Sequence, residues 1–327
     1  MIAIDLSPTL VIGTGLVGAS IGCALTRAGV TVHLSDQVSS HARVAASRGA
    51  GTIARPDPDA VRLVVVAVPP AALAGAIERA LEKYPHATVT DVGSVKGTVL
   101  AALRREGADL SRYVGSHPMA GSQRVGPLTA NPGLFIDRTW VVTPHDTSSA
   151  HAVLDVQELA RLCGARRVTM GAAHHDEAVA QVSHLPHLVS VLMAGRLTEV
   201  PAEHLRLAGQ GVRDVTRIAG SDPGLWRQII TANREAVRIE LAALQADLAE
   251  LAVALDDADA VTALLERGRE GTRALPGKHG LAPVDYARVV VVIPDEPGSL
   301  AKLFRDIEAA GVNIEDLSID HDLDREV

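Results

Sequence analysis

Apolar residues in the first half of this chain fall into two alternating rhythms. Short strand-like segments, the apolar runs Leu10-Val11-Ile12 and Leu63 to Val68 together with Val30 to Leu34 and Trp140 to Thr143, are separated by stretches with helical spacing such as Leu16 to Ala28. The run Leu63-Val64-Val65-Val66-Ala67-Val68 has no polar position, as expected of a strand covered on both faces of a parallel sheet. Thr88 to Asp91 and Tyr113 to Gly115 extend the strand-like set. Strands alternating with helices predict a doubly wound α/β domain over residues 1–170.

After Met170 the pattern becomes almost entirely helical, over an expected domain of residues 171–272. Val237, Leu241, Leu244, Leu248, Leu251 and Leu255 step by four and three alternately, a seam that packs either inside the chain or against a second copy in a homodimer. The glycine- and proline-rich stretch from Arg267 to Pro283 reads as a linker, bounded at 273–286. In 287–327, Ala287 to Ile293 is strand-like, Gly298 to Ala310 helix-like and Val312 to Ile319 strand-like, the start of a small α/β unit.

Bulk properties narrow the function. A chain of 327 residues that is 47% hydrophobic can bury a large core divided among domains. Its formal net charge of −8 recommends neither nucleic acid nor an anionic membrane as partner, so a small anion must be held by local arginines. Cys23 and Cys163 read as buried free thiols rather than a disulfide framework. No leader pattern and no apolar stretch of ~20 residues is evident, so a soluble cytoplasmic protein is expected.

Chemistry enters with Gly13-Thr14-Gly15-Leu16-Val17-Gly18, directly after the first strand. Gly13 permits the tight turn, Gly15 lets backbone approach a pyrophosphate, and Gly18 allows close helix packing, while the helix N-terminus offers amides and dipole to phosphate. Asp36, 23 residues after Gly13 at the end of the second strand, would accept from ribose hydroxyls and repel a 2′-phosphate, favouring NAD; Arg43 and His41 nearby leave NADP open. Leu16, Val17 and Val68, the last closing the long apolar run, complete the candidate cofactor contacts of a Rossmann-type domain.

Three further segments carry polar groups. In Asp91-Val92-Gly93-Ser94-Val95-Lys96-Gly97, Ser94 reads either as the cap of the next helix or as a hydrogen-bond partner of substrate or of His117, with Lys96 steadying the loop or an anion. His117, in Ser116-His117-Pro118-Met119-Ala120-Gly121, is expected in a proline-stiffened loop at the carboxyl edge of the sheet. An imidazole there suits an alcohol that loses a proton as its carbon loses hydride. The histidine-rich stretch His174 to His187 lacks HExxH and is interrupted by Pro186, so no metal is expected; His184 and His187 are read as polar groups facing the cofactor cleft. In Gly209 to Ala219, followed by Asp222-Pro223-Gly224-Leu225-Trp226, Arg213 and Arg217 lie four apart beside Asp214 and could clamp a carboxylate.

Together GTGLVGASIG, DVGSVK, GSHPMAG, HHDEAVAQVSHLPH and GVRDVTRIAGSDPGLW occur in the order found in the prephenate/arogenate dehydrogenases, which this chain resembles over residues 10 to about 245. The resemblance implies NAD-dependent oxidative decarboxylation of prephenate to 4-hydroxyphenylpyruvate, or of arogenate to tyrosine. It implies that His117 pairs with the ring hydroxyl, that Ser94 orients His117, that Arg217 holds a substrate carboxylate, and that His187 and Trp226 line the pocket, with Asp214 and Gln123 as further substrate contacts. Gln123 departs from the glutamate many relatives carry there. Arg288 to Asp320 resembles the opening of an ACT regulatory domain, which implies tyrosine as a feedback ligand. A non-catalytic NAD- and amino-acid-sensing protein would need no joint set of Ser94, His117 and Arg217. A β-hydroxyacid dehydrogenase would rely on a lysine that residues 170–265 do not contain.

Overall fold

Every position of Leu63 to Val66 is buried, and the side chains divide by parity: Leu63 and Val65 pack into one apolar cluster, Val64 and Val66 into another. A strand with two dry faces must lie at the centre of a sheet layered by helices on both sides. That sheet is built from β1 (Thr9–Ile12), β2 (Val32–Ser35), β3 (Leu63–Val66) and β4 (Thr88–Asp91), parallel throughout and ordered β2-β1-β3-β4. Helices α1 (Leu16–Arg27) and α2 (Ser39–Ser47) contribute to the first cluster, α3 (Leu73–Lys83) and α4 (Gly97–Arg105) to the second.

A second sheet continues from the first. Strands β5 (Gly115–Pro118), β6 (Thr139–Thr143) and β7 (Arg166–Thr169) are ordered β5-β6-β7, with β5 and β6 antiparallel and β6 and β7 parallel. A parallel bridge from Val89 to Tyr113 aligns β5 with β4, so the carboxyl ends of β1 to β5 share one edge. Helix α5 (Ala150–Leu162) precedes β7 and covers the face shared with α1. The expected Tyr113–Gly115 strand is therefore shifted towards the carboxyl end, and His117 lies inside β5 rather than in the loop after it. Its neighbour Val141 on β6 supplies the pairing that extends the strand.

The helical region follows as α6 (Ala172–Val179), a π turn (Ala180–His184), α7 (Leu185–Arg196), α8 (Ala202–Leu205), α9 (Gln210–Thr216), α10 (Pro223–Ala232) and α11 (Arg234–Ala254). Pro186 lacks an N–H and crowds the preceding turn, and the chain meets it by widening to a π turn rather than by stopping. In an unbroken α-helix the nine steps from His175 to His184 come to roughly 900°, leaving the two on opposite faces. The wider turn advances less per residue, and both histidines are buried. The run Ala172–Glu199 is long and apolar enough by length and composition to cross a membrane, against the sequence expectation. Its polar side chains Asp176, His184 and His187 are buried in contacts with the rest of the fold, which accounts for the run as a domain helix.

The structure describes residues 4–121, 126–275, 287, 289–312, 314, 317 and 319. It divides into two units, 1–258 and 259–327. The second holds most of α12 (Ala258–Ala274) and all of α13 (Ser299–Ala309). Helix α12 thus runs into the start of the expected linker, whose remainder, 276–286, lies outside the described residues. The expected terminal helix is present, but the described residues of 287–293 and 312–319 form no strand. Val289, Val290 and Val292 are exposed, and no described neighbour pairs with their backbone.

Candidate active site

The shared carboxyl edge gathers the chemistry. Gly13 closes β1 with φ +93°, and a Cβ there would lie 2.3 Å from the carbonyl oxygen of Ala67; at Gly18 it would lie 2.0 Å from that of Gly13. Only glycine fits either position. Gly15 differs: a Cβ would meet nothing within 4 Å, so the space above it is open. Gly15 also opens α1 with no side-chain cap and no acid in the first turn, which leaves the helix N-terminus to an anion. Leu16 and Val17 on that turn, and Val68 beyond β3, are half-buried.

Asp36 ends the β2 side of the edge. Its Oδ2 accepts from Thr14 N at 2.7 Å and Thr14 Oγ1 at 2.8 Å, and its Oδ1 from Val38 N at 2.8 Å. The carboxylate is thereby fixed beside the glycine turn, where a ribose attached to a pyrophosphate over Gly15 would reach it. The open glycine, the uncapped helix and the fixed acid together fit a dinucleotide.

Beneath the next part of the edge lies a buried ion pair. Lys96 Nζ donates to Asp91 Oδ2 and, at 2.7 Å, to Ser116 O, with both side chains almost fully buried. Asp91 also accepts from Tyr113 Oη at 2.7 Å and Gly93 N at 2.9 Å. Burial pulls the Lys96 ammonium below the ordinary lysine value against the opposing pull of Asp91. Burial and the Asp91 charge push the Tyr113 phenol well above its usual range, keeping it a donor. This lysine binds β4 to β5, so of the two expected roles it has the loop-steadying one.

His117 stands on β5 one residue beyond Ser116. Its Nδ1 lies 2.9 Å from Nε2 of His175, a fully buried residue of α6, in an edge-to-face pair. Burial first, then the charges of His175, Lys96 and His184, hold the His117 imidazole well below the usual histidine range. Next along α6, Asp176 accepts from Lys96 N and Gly97 N at 2.8 Å each and lies 2.8 Å from His175 Nδ1. That carboxylate, carried by the helical region, performs the capping expected of Ser94. Half-buried Ser94 bonds neither the α4 terminus nor His117 in this structure, because the helical region supplies both partners.

The histidines of the rich stretch diverge. His174 is exposed, His175 meets His117, and His184 Nδ1 accepts from Asn233 Nδ2 at 3.1 Å. His187 stacks on Trp226 with ring centroids 3.4 Å apart and planes within 3°. Burial lowers His184 to about 4 and also lowers His187. Among the described residues, no group of three or more such side chains could hold a metal ion.

Arg217 follows directly on α9 and is exposed, as are Arg213 and Asp214; Asp214 Oδ1 accepts from Gln210 Nε2 at 2.8 Å on its own helix. Gln123 lies outside the described residues. The sequence reading assigned no role to His175 and Asp176. The signal available was an acid next to a histidine on a segment that had to meet the sheet's carboxyl edge.

A glycine turn, an acid fixed beside it and an imidazole on one sheet edge, faced by a helical region, are the parts of a nicotinamide-dependent dehydrogenase. Residues 21–169 match the family description "Prephenate dehydrogenase, nucleotide-binding domain" and residues 171–267 match "Prephenate dehydrogenase, dimerization domain". A Streptomyces niveus protein, NovF, described as a probable prephenate dehydrogenase, is 36% identical over 95% of this chain and 89% of its own. The cyclohexadienyl dehydrogenase of Zymomonas mobilis is 32% identical over 84% of this chain and 97% of its own. The prephenate dehydrogenase of A. aeolicus, solved with hydroxyphenyl propionate and NAD+, superposes with a TM-score of 0.74 at 26% identity. It covers 83% of this chain and 99% of that one. The chain belongs to the prephenate dehydrogenase family.

Proposed function

We propose that this protein catalyses the NAD-dependent oxidative decarboxylation of prephenate to 4-hydroxyphenylpyruvate, a step towards tyrosine. The observation that carries the reading is the placement of His117 on the same carboxyl edge as the open turn at Gly15 and the fixed carboxylate of Asp36. Bound NAD supplies the hydride acceptor. His117 takes the proton of the ring hydroxyl as the ring carbon gives up hydride, and loss of carbon dioxide leaves an aromatic ring. A histidine held below its usual range enters this step as the free base at neutral pH. Arg217 holds a substrate carboxylate, Asp214 and Gln123 are further substrate contacts, and the stacked His187 and Trp226 line the pocket. Ser94 bonds the substrate hydroxyl once substrate is present.

The expected boundaries of 1–170, 171–272, 273–286 and 287–327 stand as the proposed division of labour: cofactor, substrate and dimer, linker, and an ACT-like segment answering to tyrosine. A cytoplasmic homodimer is the proposed assembly. The α11 seam supports it, since Val237 is buried while Leu248 is 57% exposed and Leu255, just past the helix end, 67% exposed, so the row emerges from the fold as an apolar surface.

Steady-state assays of the purified protein with prephenate and with arogenate, each with NAD and NADP, test the reading. Prephenate with NAD is expected to give the highest kcat/KM, and a higher value with arogenate would reassign the substrate. His117→Asn is expected to lower kcat ~10²–10⁴-fold at little change in KM. Arg217→Gln is expected to raise the substrate KM ~10- to 150-fold, the weight of one charged hydrogen-bonded contact.

A further inference from the structure

Asp176 binds three donors at once. Its Oδ1 and Oδ2 accept from the backbone of Lys96 and Gly97, so both oxygens act as acceptors, and the third neighbour, His175 Nδ1, lies 2.8 Å from Oδ1. A carboxylate accepting through both oxygens has no hydrogen to give, so the hydrogen of that contact sits on His175 Nδ1. A neutral imidazole with hydrogen on Nδ1 has its lone pair on Nε2. That Nε2 faces His117 Nδ1 at 2.9 Å, and the contact is a hydrogen bond only if His117 Nδ1 carries the hydrogen. The lone pair of His117 is then on Nε2.

Without this chain of contacts, a free imidazole would divide itself between two tautomers, and the one with hydrogen on Nε2 cannot take a proton from a substrate hydroxyl through that atom. The burial of His175 and Asp176 excludes competing water from both contacts.

We propose that His175 and Asp176 are positioning residues that hold His117 as its Nδ1–H tautomer, so that the Nε2 lone pair is the one offered to the substrate hydroxyl. The proposal rests on the reading of His117 as the base. It adds a structural condition to catalysis: the carboxylate that fixes the tautomer also docks the helical region on α4, so the base is correctly prepared only while the two regions are seated together.

The test uses the whole protein. Nitrogen-15 NMR of the histidine-labelled enzyme reads the His117 tautomer directly, assigned by loss of its signals in His117→Asn. Hydrogen on Nδ1 is expected, and hydrogen on Nε2 would overturn the proposal. His175→Leu removes the acceptor and is expected to lower kcat by at least ~10-fold, up to the ~10⁴-fold that a wrong tautomer costs a triad histidine, with KM for NAD and prephenate nearly unchanged. His175→Gln places an amide oxygen near the lost Nε2 and is expected to restore most of kcat and the Nδ1–H signals. Should His175→Leu fail to fold, the wild-type spectrum and His175→Gln still decide the matter. Wild-type kcat in a folded His175→Leu, beside an inactive His117→Asn, would overturn the relay and leave the base in place. A fully active His117→Asn would instead remove the base, and the relay's purpose with it.

Discussion

Replacing Lys96 by methionine isolates the buried ion pair. The side chains have similar reach, but the variant strips Asp91 of the one charged partner it has among the described residues, leaving Tyr113 Oη and Gly93 N as donors, and leaves Ser116 O without Lys96. Both partners are essentially inaccessible to water, so the carboxylate cannot recover by hydration. Breaking such a pair from one side destabilises by ~3–5 kcal/mol, because one buried charge loses its partner. In a unit of this size each kcal/mol lowers Tm by ~2–4 °C, so calorimetry should show a fall of ~6–20 °C. A second signature separates this cause from simple repacking. Adding Asp91→Asn should recover part of the loss, with a coupling of ~0.5–3 kcal/mol in the double-mutant cycle. A Tm within ~2 °C of the parent, or no recovery when Asp91→Asn is added, would refute the reasoning.

Three other outcomes follow from the geometry. Asp36→Ala removes the acid fixed beside the glycine turn and should raise KM for NAD and narrow its kcat/KM advantage over NADP; an unchanged cofactor ratio would count against the ribose assignment. The depressed histidines contribute stability that is full above their unfolded value of about 6.5 and is lost as pH falls towards their folded values. For His184, lowered to about 4, that is roughly 3 kcal/mol, so urea midpoints should hold above pH 7 and decline between 6.5 and 4; a flat profile there would contradict the assigned burial. Leu248→Glu on the exposed part of the α11 seam should shift the light-scattering mass from dimer to monomer, and a monomeric parent at micromolar concentration would dismiss the seam as an interface.

The strands that were legible in the sequence are those whose burial leaves a local trace. The apolar run read as a strand over Leu63 to Val68 holds the central strand Leu63 to Val66, and Thr88 to Asp91 is bounded as read. Arg166 to Thr169 was missed because it is an exposed strand carrying two arginines, held by pairing with β6 rather than by its own apolar content. The glycine turn was legible because φ and close approach dictate residue type at Gly13 and Gly18. The partner of His117 was not. It comes from 58 residues further along the chain, on a helix whose docking is decided by tertiary contacts, and a nearer serine made an attractive local substitute.

The π turn at Ala180 to His184 makes this segment sensitive to length more than to composition. Deleting one residue there, for example the exposed Val182, could leave a continuous helix of good hydropathy and still turn everything beyond it by a large fraction of a revolution. His187 would leave Trp226, and the apolar face of α7 would rotate with it. Among relatives, point substitutions on the outer side of this turn should accumulate freely. Insertions and deletions should be purged, because the turn works as a phase setting between two stretches of one helix.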